Sequence, residues 1–310
     1  MTPPLDVVIV NWNAGDQLRA CLASLAASAD AGSLRVVVVD NASTDGSADG
    51  LERPGLTLTV LRNTGNLGFA RACNQGAALG SAEAILFLNP DTEVSRDGIR
   101  AARAVLEADT GTGLVGARLV DEAGRTHRTC ARHPTAASLL AQILFLDRLL
   151  PGRVPAHFLL DWDHAETQAV DAVMGAFLMI RRPLFARLGG FDERFFVYWE
   201  DADLCARAGA AGFAVCHAAR AEIRHRGQGT TEAVKDRRLF YFLRAQALYA
   251  NKHFGRLSFF AVLVAALAVN LPVRLGRALL RGSARDAGAV IRAGGMLVAA
   301  LPDLLTARVR

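Results

Sequence analysis

Three acidic side chains lie within four positions of one another, directly after an aromatic segment. Glu200, Asp201 and Asp203 follow Tyr198 and Trp199. Carboxylates this close repel one another when buried and ionised, so we expect at least one of them to meet a cation, a hydrogen-bond donor or a substrate proton. The aromatic neighbours favour a pocket wall over a solvated helix start. The segment therefore predicts ligand binding or acid–base chemistry.

Two further groups of acids follow apolar, strand-like runs. Asp40 directly follows the run at 34–39, and Asp91 and Glu93 follow the run at 84–88. Open parallel sheets bind ligands at the carboxyl ends of their strands, where a carboxylate can accept a hydrogen bond from a ring N–H of a base. Carboxylate oxygens there also suit Mg²⁺ or Mn²⁺ bound to a diphosphate. Each acid alone could instead cap a helix or close a turn.

The elements that must position these acids alternate between strands and helices. Runs rich in β-branched residues at 7–10 and 34–39 flank a helical segment at 17–27, which is the βαβ pattern of a parallel sheet. The first ~120 residues therefore predict a Rossmann-like, nucleotide-binding half. We expect further strands at 56–61, 84–88, 173–180, 213–218 and 221–225, and further helices at 68–79, 136–150, 183–188 and 201–211.

Short motifs occur in a specific order along residues 5–255. They are Val10-Asn11-Trp12-Asn13, Asp40-Asn41-Ala42-Ser43-Thr44-Asp45, Asn63-x-Gly65-Asn66-x-Gly68-Phe69, Leu88-Asn89-Pro90-Asp91, Gly175-Ala176-Phe177, Gly189-Gly190-Phe191-Asp192-Glu193 and Trp199-Glu200-Asp201-x-Asp203. In order and spacing the set closely resembles inverting glycosyltransferases of family 2, in the rhamnosyltransferase-like branch. The resemblance implies a GT-A fold, an α/β Rossmann-like mixed sheet flanked by helices. It also implies transfer of a sugar from a nucleotide-activated donor to a hydroxyl.

The resemblance also implies roles for individual residues. Asp40 resembles the acid that recognises a uracil or thymine base, and Asp91 resembles the metal-binding member of an Asp-x-Asp motif. Asn89 stands in the first place of that motif and removes one charge from the metal site. His225, 24 positions after Asp201, resembles the histidine that completes metal or diphosphate binding. The implied nucleotide-sugar-binding residues are Asn11, Asp40, Asn41, Asn66, Gly68, Asn89 and Asp91, and the implied ligands of Mg²⁺ or Mn²⁺ are Asp91 and His225.

Asp201 is the expected catalytic base. Inversion in one displacement needs a carboxylate within hydrogen-bond reach of the acceptor hydroxyl. Glu200 is the alternative base and would otherwise orient the acceptor. The metal would neutralise charge on the departing nucleoside diphosphate. Asp203 is expected to stabilise the start of its helix.

The composition of the 310-residue chain indicates a folded body with a basic C-terminal extension. Apolar residues make up 52% of the sequence, which argues against disorder. The net charge of +5 is concentrated after position 255, where eight arginines face two aspartates. This distribution argues against a nucleic-acid binder and favours anionic lipid or a docking partner. We therefore expect a catalytic domain at 1–255 and a helical, membrane-associating extension at 256–310.

The cellular setting is predicted from three further features. Five scattered cysteines without a C-x-x-C pair are expected to be reduced and structural. The N-terminal residues carry no basic segment or cleavage site, so we expect a cytoplasmic body. Residues 257–273 are 17 uncharged positions, short of the ~20 that span a bilayer comfortably. Whether this stretch spans or lies on a membrane stays open.

Arginines recur at helical spacing beyond that stretch. Arg274, Arg277, Arg281 and Arg285 alternate with leucines, which is typical of an amphipathic helix on a membrane surface. A helical cap with a solvated arginine face is the alternative. The first interpretation predicts a peripheral protein at the inner face of the cell membrane.

Together these features predict a non-processive, inverting, metal-dependent glycosyltransferase. The expected partners are a dTDP- or UDP-sugar donor, with dTDP-L-rhamnose the best single choice, and a cell-envelope glycan or polyprenyl-linked acceptor. A galactofuranosyl- or other hexosyltransferase is the first alternative. A sugar-phosphate nucleotidyltransferase would need a glycine-rich basic loop, which residues 7–15 lack. A non-catalytic sugar-nucleotide-binding protein is the third possibility. The Gln-x-x-Arg-Trp motif of processive synthases does not occur in the sequence, which is why we expect a non-processive enzyme.

Overall fold

The computed structural model describes residues 3–52, 55–150, 153–154, 157–227 and 234–306. The chain divides into two compact units. The first contains the described residues within Met1–His133, Phe158–Glu193 and Glu200–Thr230. The second contains those within Pro134–His157, Arg194–Trp199 and Thr231–Arg310. Each unit draws on separated segments of the chain.

The first unit is built on a mixed sheet of nine strands among the described residues. Its main path runs β3-β2-β1-β4-β8-β6-β9-β5, and β7 pairs with β9. The first four strands of this path are parallel to one another, whereas β8 is antiparallel to both β4 and β6. The strands are β1 Leu5–Asn11, β2 Leu34–Asp40, β3 Thr57–Arg62, β4 Ala84–Leu88, β5 Thr92–Val94, β6 Thr112–Val120, β7 Gln168–Val170, β8 Phe177–Arg181 and β9 Ala214–His225.

Helices cover both faces of this sheet. Strands β1 and β4 are buried along most of their length, which explains their continuous apolar sequences. One apolar cluster joins Leu18 of α1 and Leu106 of α3 to Ile9. The other joins Cys73 of α2 and Leu204 of α7 to the opposite face. The helices of this unit are α1 Asp16–Ala27, α2 Phe69–Ala78, α3 Gly98–Ala108, α6 Arg182–Arg187 and α7 Glu200–Ala210.

Helix α2 packs closely on the sheet because a glycine faces it. A Cβ atom added to Gly76 would lie 2.4 Å from a methyl carbon of Val8. Contact at this distance is repulsive, so only glycine lets the helix approach this far. The small residues of the predicted helix at 68–79 thus have a packing role.

The second unit consists mainly of helices. Two buried amide side chains join its segments: Gln246 donates to Gln142 Oε1 at 2.8 Å, and Asn270 donates to the Ile143 carbonyl at 2.7 Å. Helix α8 runs through the expected domain boundary between positions 255 and 256, with a kink at Gly255 (φ 79°). That boundary stays a prediction. The helices are α4 Ala136–Ile143, α5 Leu146–Leu149, α8 Lys235–Ala265, α9 Leu271–Leu280, α10 Ala284–Ala299 and α11 Leu301–Thr306.

The helical run Lys235–Leu280 is long and apolar enough to cross a membrane by length and composition alone. It contains α8, a π-helical turn at 266–270 and α9. Of its most apolar window, 39% is buried inside the protein. The core helix of a soluble protein can have the same length and composition.

The structure differs from the sequence expectations in three places. Helix α3 and strands β5, β6 and β7 were not anticipated. The pieces expected at 213–218 and 221–225 form one strand, β9, with a register irregularity opposite β6 at Ala117. The helix expected at 136–150 is two short helices, α4 and α5, because Phe145 between them takes a left-handed conformation (φ 60°).

Candidate active site

The carboxyl ends of β1 and β2 form a buried polar pair. Asn11 lies opposite Asp40 in the strand register and donates from Nδ2 to its Oδ1 at 2.9 Å. The other Asp40 oxygen accepts a 3.3 Å hydrogen bond from the backbone N–H of Ser43. Asp40 is only 3% exposed, so its carboxylate holds the loop after β2 in place. Contact between Asp40 and a nucleotide base stays a prediction.

The loops after β1 and β2 are bonded to each other. Ser43 Oγ accepts from the Asn13 backbone N–H at 2.9 Å, and Asn13 Oδ1 accepts from the Thr44 backbone N–H at 2.7 Å. Asp45 Oδ2 accepts from the Gly15 backbone N–H at 2.9 Å. These hydrogen bonds, together with those of Asp40, lower the freedom of both loops. The Asp-Asn-Ala-Ser-Thr-Asp motif therefore holds the two loops together in a fixed conformation at this edge of the sheet.

The glycine-rich segment before α2 is hydrogen-bonded to the loop after β2. Asn41 donates to the Gly68 carbonyl at 3.1 Å, and Gly68 donates to Asn66 Oδ1 at 3.0 Å. Gly68 adopts φ 89°, which only glycine takes readily, and α2 begins at the next residue. The segment that the resemblance assigns to the nucleotide thus lies beside the ends of β1 and β2. The nucleotide contacts of Asn41, Asn66 and Gly68 stay predictions.

The Asn-Pro-Asp turn follows β4 at the same edge. The Asn89 carbonyl accepts from Thr92 Oγ1 at 2.6 Å, and the Asn89 backbone N–H donates to the Ala176 carbonyl at 3.0 Å. The Asn89 side chain makes no hydrogen bond to another residue in the described part of the chain. Its amide therefore stays available to a ligand.

Asp91 meets His225 across the pairing of β5 with β9. Thr92 lies opposite His225 in that register, and Asp91 Oδ2 is 3.4 Å from His225 Nε2. The second oxygen, Asp91 Oδ1, is buried and has no hydrogen-bond partner. A buried carboxylate oxygen without a partner is costly, and a cation would satisfy it. The pair therefore fits the predicted metal site.

The described residues offer no group of three or more His, Cys, Asp or Glu side chains around a common metal position. Asp91 and His225 would thus be the protein's ligands from this class. Mg²⁺ commonly binds through one or two carboxylates plus phosphate oxygens and water, so a bound diphosphate would supply the remaining ligands.

Asp201 lies at the N-terminus of α7 and faces the strand β8 side of the edge. Its Oδ2 accepts a 2.8 Å hydrogen bond from the backbone N–H of Gly175, and its Oδ1 accepts from the Ala202 backbone N–H at 2.8 Å. Burial is the main influence on this carboxyl and raises its pKa above the usual value, while these hydrogen bonds act in the opposite direction. The residue nevertheless keeps part of its surface exposed. A base that is partly exposed and less acidic than a free aspartate is suited to take a proton.

Glu200 differs from Asp201 in its environment. It is buried, and its Oε2 has no hydrogen-bond partner. Burial, and then the charges of Asp201 and Asp203, raise its pKa well above the usual range. Asp203 is fully buried and pairs with Arg207 at 2.8 Å, which stabilises the first turns of α7. Of the two candidate bases, Asp201 is thus the one that solvent or a substrate reaches.

The two residues before α7 have strained backbones. Tyr198 and Trp199 adopt φ values of 70° and 69°, which non-glycine residues rarely take. Strain of this kind persists only where the surroundings impose it, and it is common near active sites. Trp199, which we expected to line a pocket, is buried and stacks with His157 at 5.5 Å in the helical unit.

The three groups of acids lie along one edge of the sheet. Strands β2, β1, β4 and β8 are consecutive, and Asp40, the Asn-Pro-Asp turn and Gly175 come at the same ends of these strands. Three strand spacings of about 4.8 Å separate β2 from β8, roughly 14 Å in all. That a nucleotide sugar lies along this edge, with its base at Asp40 and its reacting carbon near Asp201, stays a prediction.

Comparison with known proteins identifies the family of this chain. The sequence matches the model of glycosyl transferase family 2 over residues 6–189. The chain belongs to glycosyl transferase family 2. It is therefore a glycosyltransferase, as the motifs predicted, and not a nucleotidyltransferase.

Several proteins named as glycosyltransferases are similar in sequence. An N-acetylglucosaminyl-diphospho-decaprenol L-rhamnosyltransferase of Mycobacterium tuberculosis is 29% identical over 244 residues, covering 73% of this chain and 76% of the relative. A low-salt glycan biosynthesis hexosyltransferase, Agl10 of Haloferax volcanii, is 26% identical, covering 67% and 62%. The rhamnosyltransferase WbbL of Escherichia coli is 25% identical, covering 56% and 66%.

Solved structures share the fold of this chain. The mannosyltransferase PcManGT of Pyrobaculum calidifontis, in complex with GDP-Man and Mn²⁺, aligns with a TM-score of 0.58 at 19% identity, covering 96% of this chain and 88% of the other. The S. aureus TarS fragment 1–349, in complex with UDP-GlcNAc, aligns with a TM-score of 0.54 at 16% identity, covering 99% and 84%. The family 2 chain thus has the GT-A type of mixed sheet that its motifs predicted.

Sequence reasoning missed the polar residues that support this family 2 site. Asn74 of α2 donates to the Phe191 carbonyl and accepts from the Phe191 backbone N–H, both at 2.9 Å. Asn63 and Gln75 exchange hydrogen bonds of 2.9 and 3.1 Å, and Asn63 also donates to Asn41. Asn74 and Gln75 are adjacent in α2, a helix that packs on an apolar sheet. Two neighbouring amide side chains in such a helix are the sequence feature that could have indicated these hydrogen bonds.

Proposed function

We propose that this chain is an inverting, metal-dependent rhamnosyltransferase. It transfers L-rhamnose from dTDP-rhamnose to a hydroxyl of a sugar that is linked through diphosphate to a polyprenol. The observation that carries the proposal is the partly exposed Asp201 carboxylate, held at the sheet edge that also carries Asp40 and Asp91. The similarity to the mycobacterial and E. coli rhamnosyltransferases supports the donor sugar and the lipid-linked acceptor.

Asp201 acts as the base in a single displacement. It takes the proton of the acceptor hydroxyl while the oxygen forms a bond to the anomeric carbon of the donor sugar. The bond from that carbon to the diphosphate breaks on the opposite face, so the configuration inverts. The hydrogen bond from Gly175 fixes one oxygen of the base and leaves the carboxylate oriented for this transfer.

Asp91 and His225 would hold Mg²⁺ or Mn²⁺ against the diphosphate of the donor. The metal would offset the negative charge that develops on the leaving group. Asn89 can donate a neutral hydrogen bond to the same phosphates. The loops at Asp40–Asp45 and Asn63–Phe69 would enclose the nucleoside and the phosphates through their backbone groups.

A hexosyltransferase that uses a UDP-sugar is the second candidate. The similarity to the Haloferax hexosyltransferase supports it, and the same acids would serve a UDP donor. The two candidates differ only in the sugar pocket and the base pocket, so a donor screen separates them.

The helical unit is the part we assign to the membrane. Leucines at its surface are strongly exposed, with Leu257 at 84% and Leu280 at 92%, and arginines lie beside both. Apolar side chains flanked by basic ones favour the surface of an anionic bilayer. The enzyme would then work as a peripheral protein at the cytoplasmic face, where a polyprenyl-linked acceptor is presented.

A donor screen with product analysis tests the proposal. The purified full chain is mixed with dTDP-rhamnose, UDP-glucose, UDP-galactofuranose or UDP-N-acetylglucosamine, with a short-chain N-acetylglucosaminyl-diphospho-prenol, and with Mg²⁺, Mn²⁺ or EDTA. We expect a new glycosidic product from dTDP-rhamnose, with inverted configuration by NMR and none in EDTA. Transfer only from a UDP-sugar would favour the second candidate. Retained configuration would refute the single displacement.

A further inference from the structure

The helical unit carries a group of arginines that the transfer chemistry does not use. Arg148 lies on α5, and Arg274 and Arg277 lie one turn apart on α9. The guanidinium carbons of Arg148 and Arg274 are 5.9 Å and 5.5 Å from the centroid of the Phe145 ring. One aromatic ring thus gathers two positive charges, and a third is a helical turn away. We call these three arginines the α5–α9 arginine cluster.

The cluster has no neutralising partner in the described part of the chain. None of its three members forms an ion pair with a described carboxylate. Asp236 and Asp286, acids of the same unit, are instead paired with Arg292 and Lys235. Positive charges that repel one another are unfavourable together unless an anion binds between them.

Arg274 is held in position at the centre of the cluster. Its Nε donates to Asn270 Oδ1 at 2.7 Å, and Asn270 is buried. Arg274 is itself half-buried. Burial, followed by the charges of Arg148, Arg277 and Arg238, lowers its pKa below the usual value. A fixed and partly desolvated guanidinium is prepared to bind an anion, because little of its freedom remains to be lost.

The geometry of guanidinium groups selects phosphate among anions. Each guanidinium presents a planar fork of N–H donors that matches two oxygens of a phosphate. Two or three neighbouring guanidinium groups match a phosphomonoester or a diphosphate better than a single carboxylate, because the ligand then carries two or more charges. The cluster therefore fits a phosphate or diphosphate group.

Exposed apolar side chains flank the cluster. Leu149 follows Arg148 and is 69% exposed, and Val273 precedes Arg274 and is 49% exposed. Free phosphate ions gain nothing from such neighbours, whereas the hydrocarbon part of an amphiphile is stabilised by them. We propose that Arg148, Arg274 and Arg277 bind the phosphate or diphosphate head of a lipid whose chain lies against Leu149 and Val273. This lipid-phosphate site is a second binding site, and it does not depend on which sugar the enzyme transfers.

Calorimetry with three probes tests the site on the full chain. The probes are farnesyl diphosphate below its micelle concentration, inorganic diphosphate and farnesol. EDTA and saturating dTDP are present, so that the donor site is blocked and holds no metal. We expect farnesyl diphosphate to bind at least tenfold more tightly than inorganic diphosphate, and farnesol not to bind. Equal affinity for the two diphosphates would overturn the assignment to a lipid.

Two matched double variants each remove two positive charges, one inside the α5–α9 arginine cluster and one outside it. Arg148→Gln/Arg277→Gln changes two exposed members of the cluster, and Arg256→Gln/Arg285→Gln changes two exposed arginines elsewhere in the unit. We expect the first pair to weaken farnesyl diphosphate binding at least tenfold and the second to change it less than twofold. An equal loss in both would mean that general positive charge attracts the probe, and the site would be refuted.

Arg274→Lys keeps the charge of the central residue but loses its fork, and we expect it to weaken binding of the same probe about tenfold. Circular dichroism and dTDP affinity are measured for every variant, and both are expected to match the parent chain. If the parent chain fails to bind dTDP but binds farnesyl diphosphate through these arginines, the proposed transfer activity fails while the lipid-phosphate site stands.

Discussion

The backbone N–H of Gly175 donates a 2.8 Å hydrogen bond to the carboxylate of Asp201, 26 residues later in the chain. The next residue, Ala176, accepts a hydrogen bond from the backbone N–H of Asn89. One dipeptide before β8 therefore contacts both the N-terminus of α7 and the turn that carries Asp91. A Cβ atom on Gly175 would lie 3.4 Å from the Asp201 Cβ, so Gly175 packs directly against the Asp201 side chain. The proposed base and the proposed metal-binding turn thus both contact the same strand end.

Replacing Asp201 tests its role as the base. We expect Asp201→Asn to lower kcat by about 10²–10⁴-fold, because the amide cannot accept the acceptor proton. The affinity for dTDP should change less than twofold, since the nucleotide is assigned to the β1–β2 end of the edge. Steady-state kinetics and calorimetry measure the two effects. Near-parent turnover would remove Asp201 from the chemistry.

Glu200→Gln is the control for that variant, because the two acids are adjacent but Glu200 is buried. We expect a smaller loss of kcat than in Asp201→Asn. The pH profile of kcat/KM gives an independent measurement. Burial raises the pKa of Asp201 above its usual value, so activity should fall on acidification at a higher pH than for a free aspartate. If Glu200→Gln is the more damaging change, Glu200 is the base.

The pairing of Asp91 with His225 predicts that replacing either residue raises the concentration of metal ion that the enzyme needs. We expect Asp91→Asn and His225→Gln each to raise the Mn²⁺ concentration for half-maximal activity by about tenfold or more, because each removes one of two protein ligands. Glu93→Gln is the matched control, since Glu93 is close in sequence but pairs with Arg224 and Arg226 instead. Metal titrations of donor hydrolysis measure the shift. An unchanged requirement in both ligand variants would contradict the site.

The strand ends of this site were predictable from sequence, whereas its long-range pairings were not. Continuous apolar runs identify β1, β2 and β4, and the polar residues at and after their carboxyl ends mark the edge that we assign to the site. The approach of His225 to Asp91 depends on the antiparallel pairing of β5 with β9, and a three-residue strand has almost no periodicity to detect. Strand β6 was missed because glycines at positions 113 and 116 interrupt its apolar pattern.

Asp6, at the other end of β1, is a buried acid in an ion-pair network, and we assign it a structural role. It is 1% exposed and pairs with Arg182 at 2.6 Å and Arg35 at 2.9 Å. We expect Asp6→Asn to lower the free energy of unfolding by about 3 kcal/mol, because two arginines lose their counter-charge. Asp49→Asn, at an exposed pair with Arg62, should change it by less than about 1 kcal/mol. Urea unfolding measures the stability of both variants and of the parent chain. A loss in Asp6→Asn no larger than the loss in Asp49→Asn would show that the buried pair adds nothing to stability.

A buried histidine pair in the first unit predicts loss of stability in acid. His164 and His217 are fully buried, and their hydrogen bonds fit neutral rings: His164 Nε2 accepts from the Cys130 backbone N–H at 3.1 Å, and His217 Nε2 donates to the His164 carbonyl at 3.0 Å. Burial is the main cause that lowers the pKa of His217 to about 4 and also lowers that of His164.

The sign of the effect follows from proton binding. Between the unfolded pKa of about 6.5 and the lower folded value, the unfolded chain binds more protons, so acid favours unfolding. The stability that the neutral rings contribute is therefore complete above about pH 7 and falls as the pH drops toward 4, by about 2 kcal/mol at pH 5 for His217 alone. We expect His217→Gln to flatten this dependence in urea unfolding between pH 7.5 and 5. His133→Gln, at an exposed position, should leave it unchanged. The same pH dependence of stability in His217→Gln as in the parent chain would show that the ring of His217 is not held neutral by the fold.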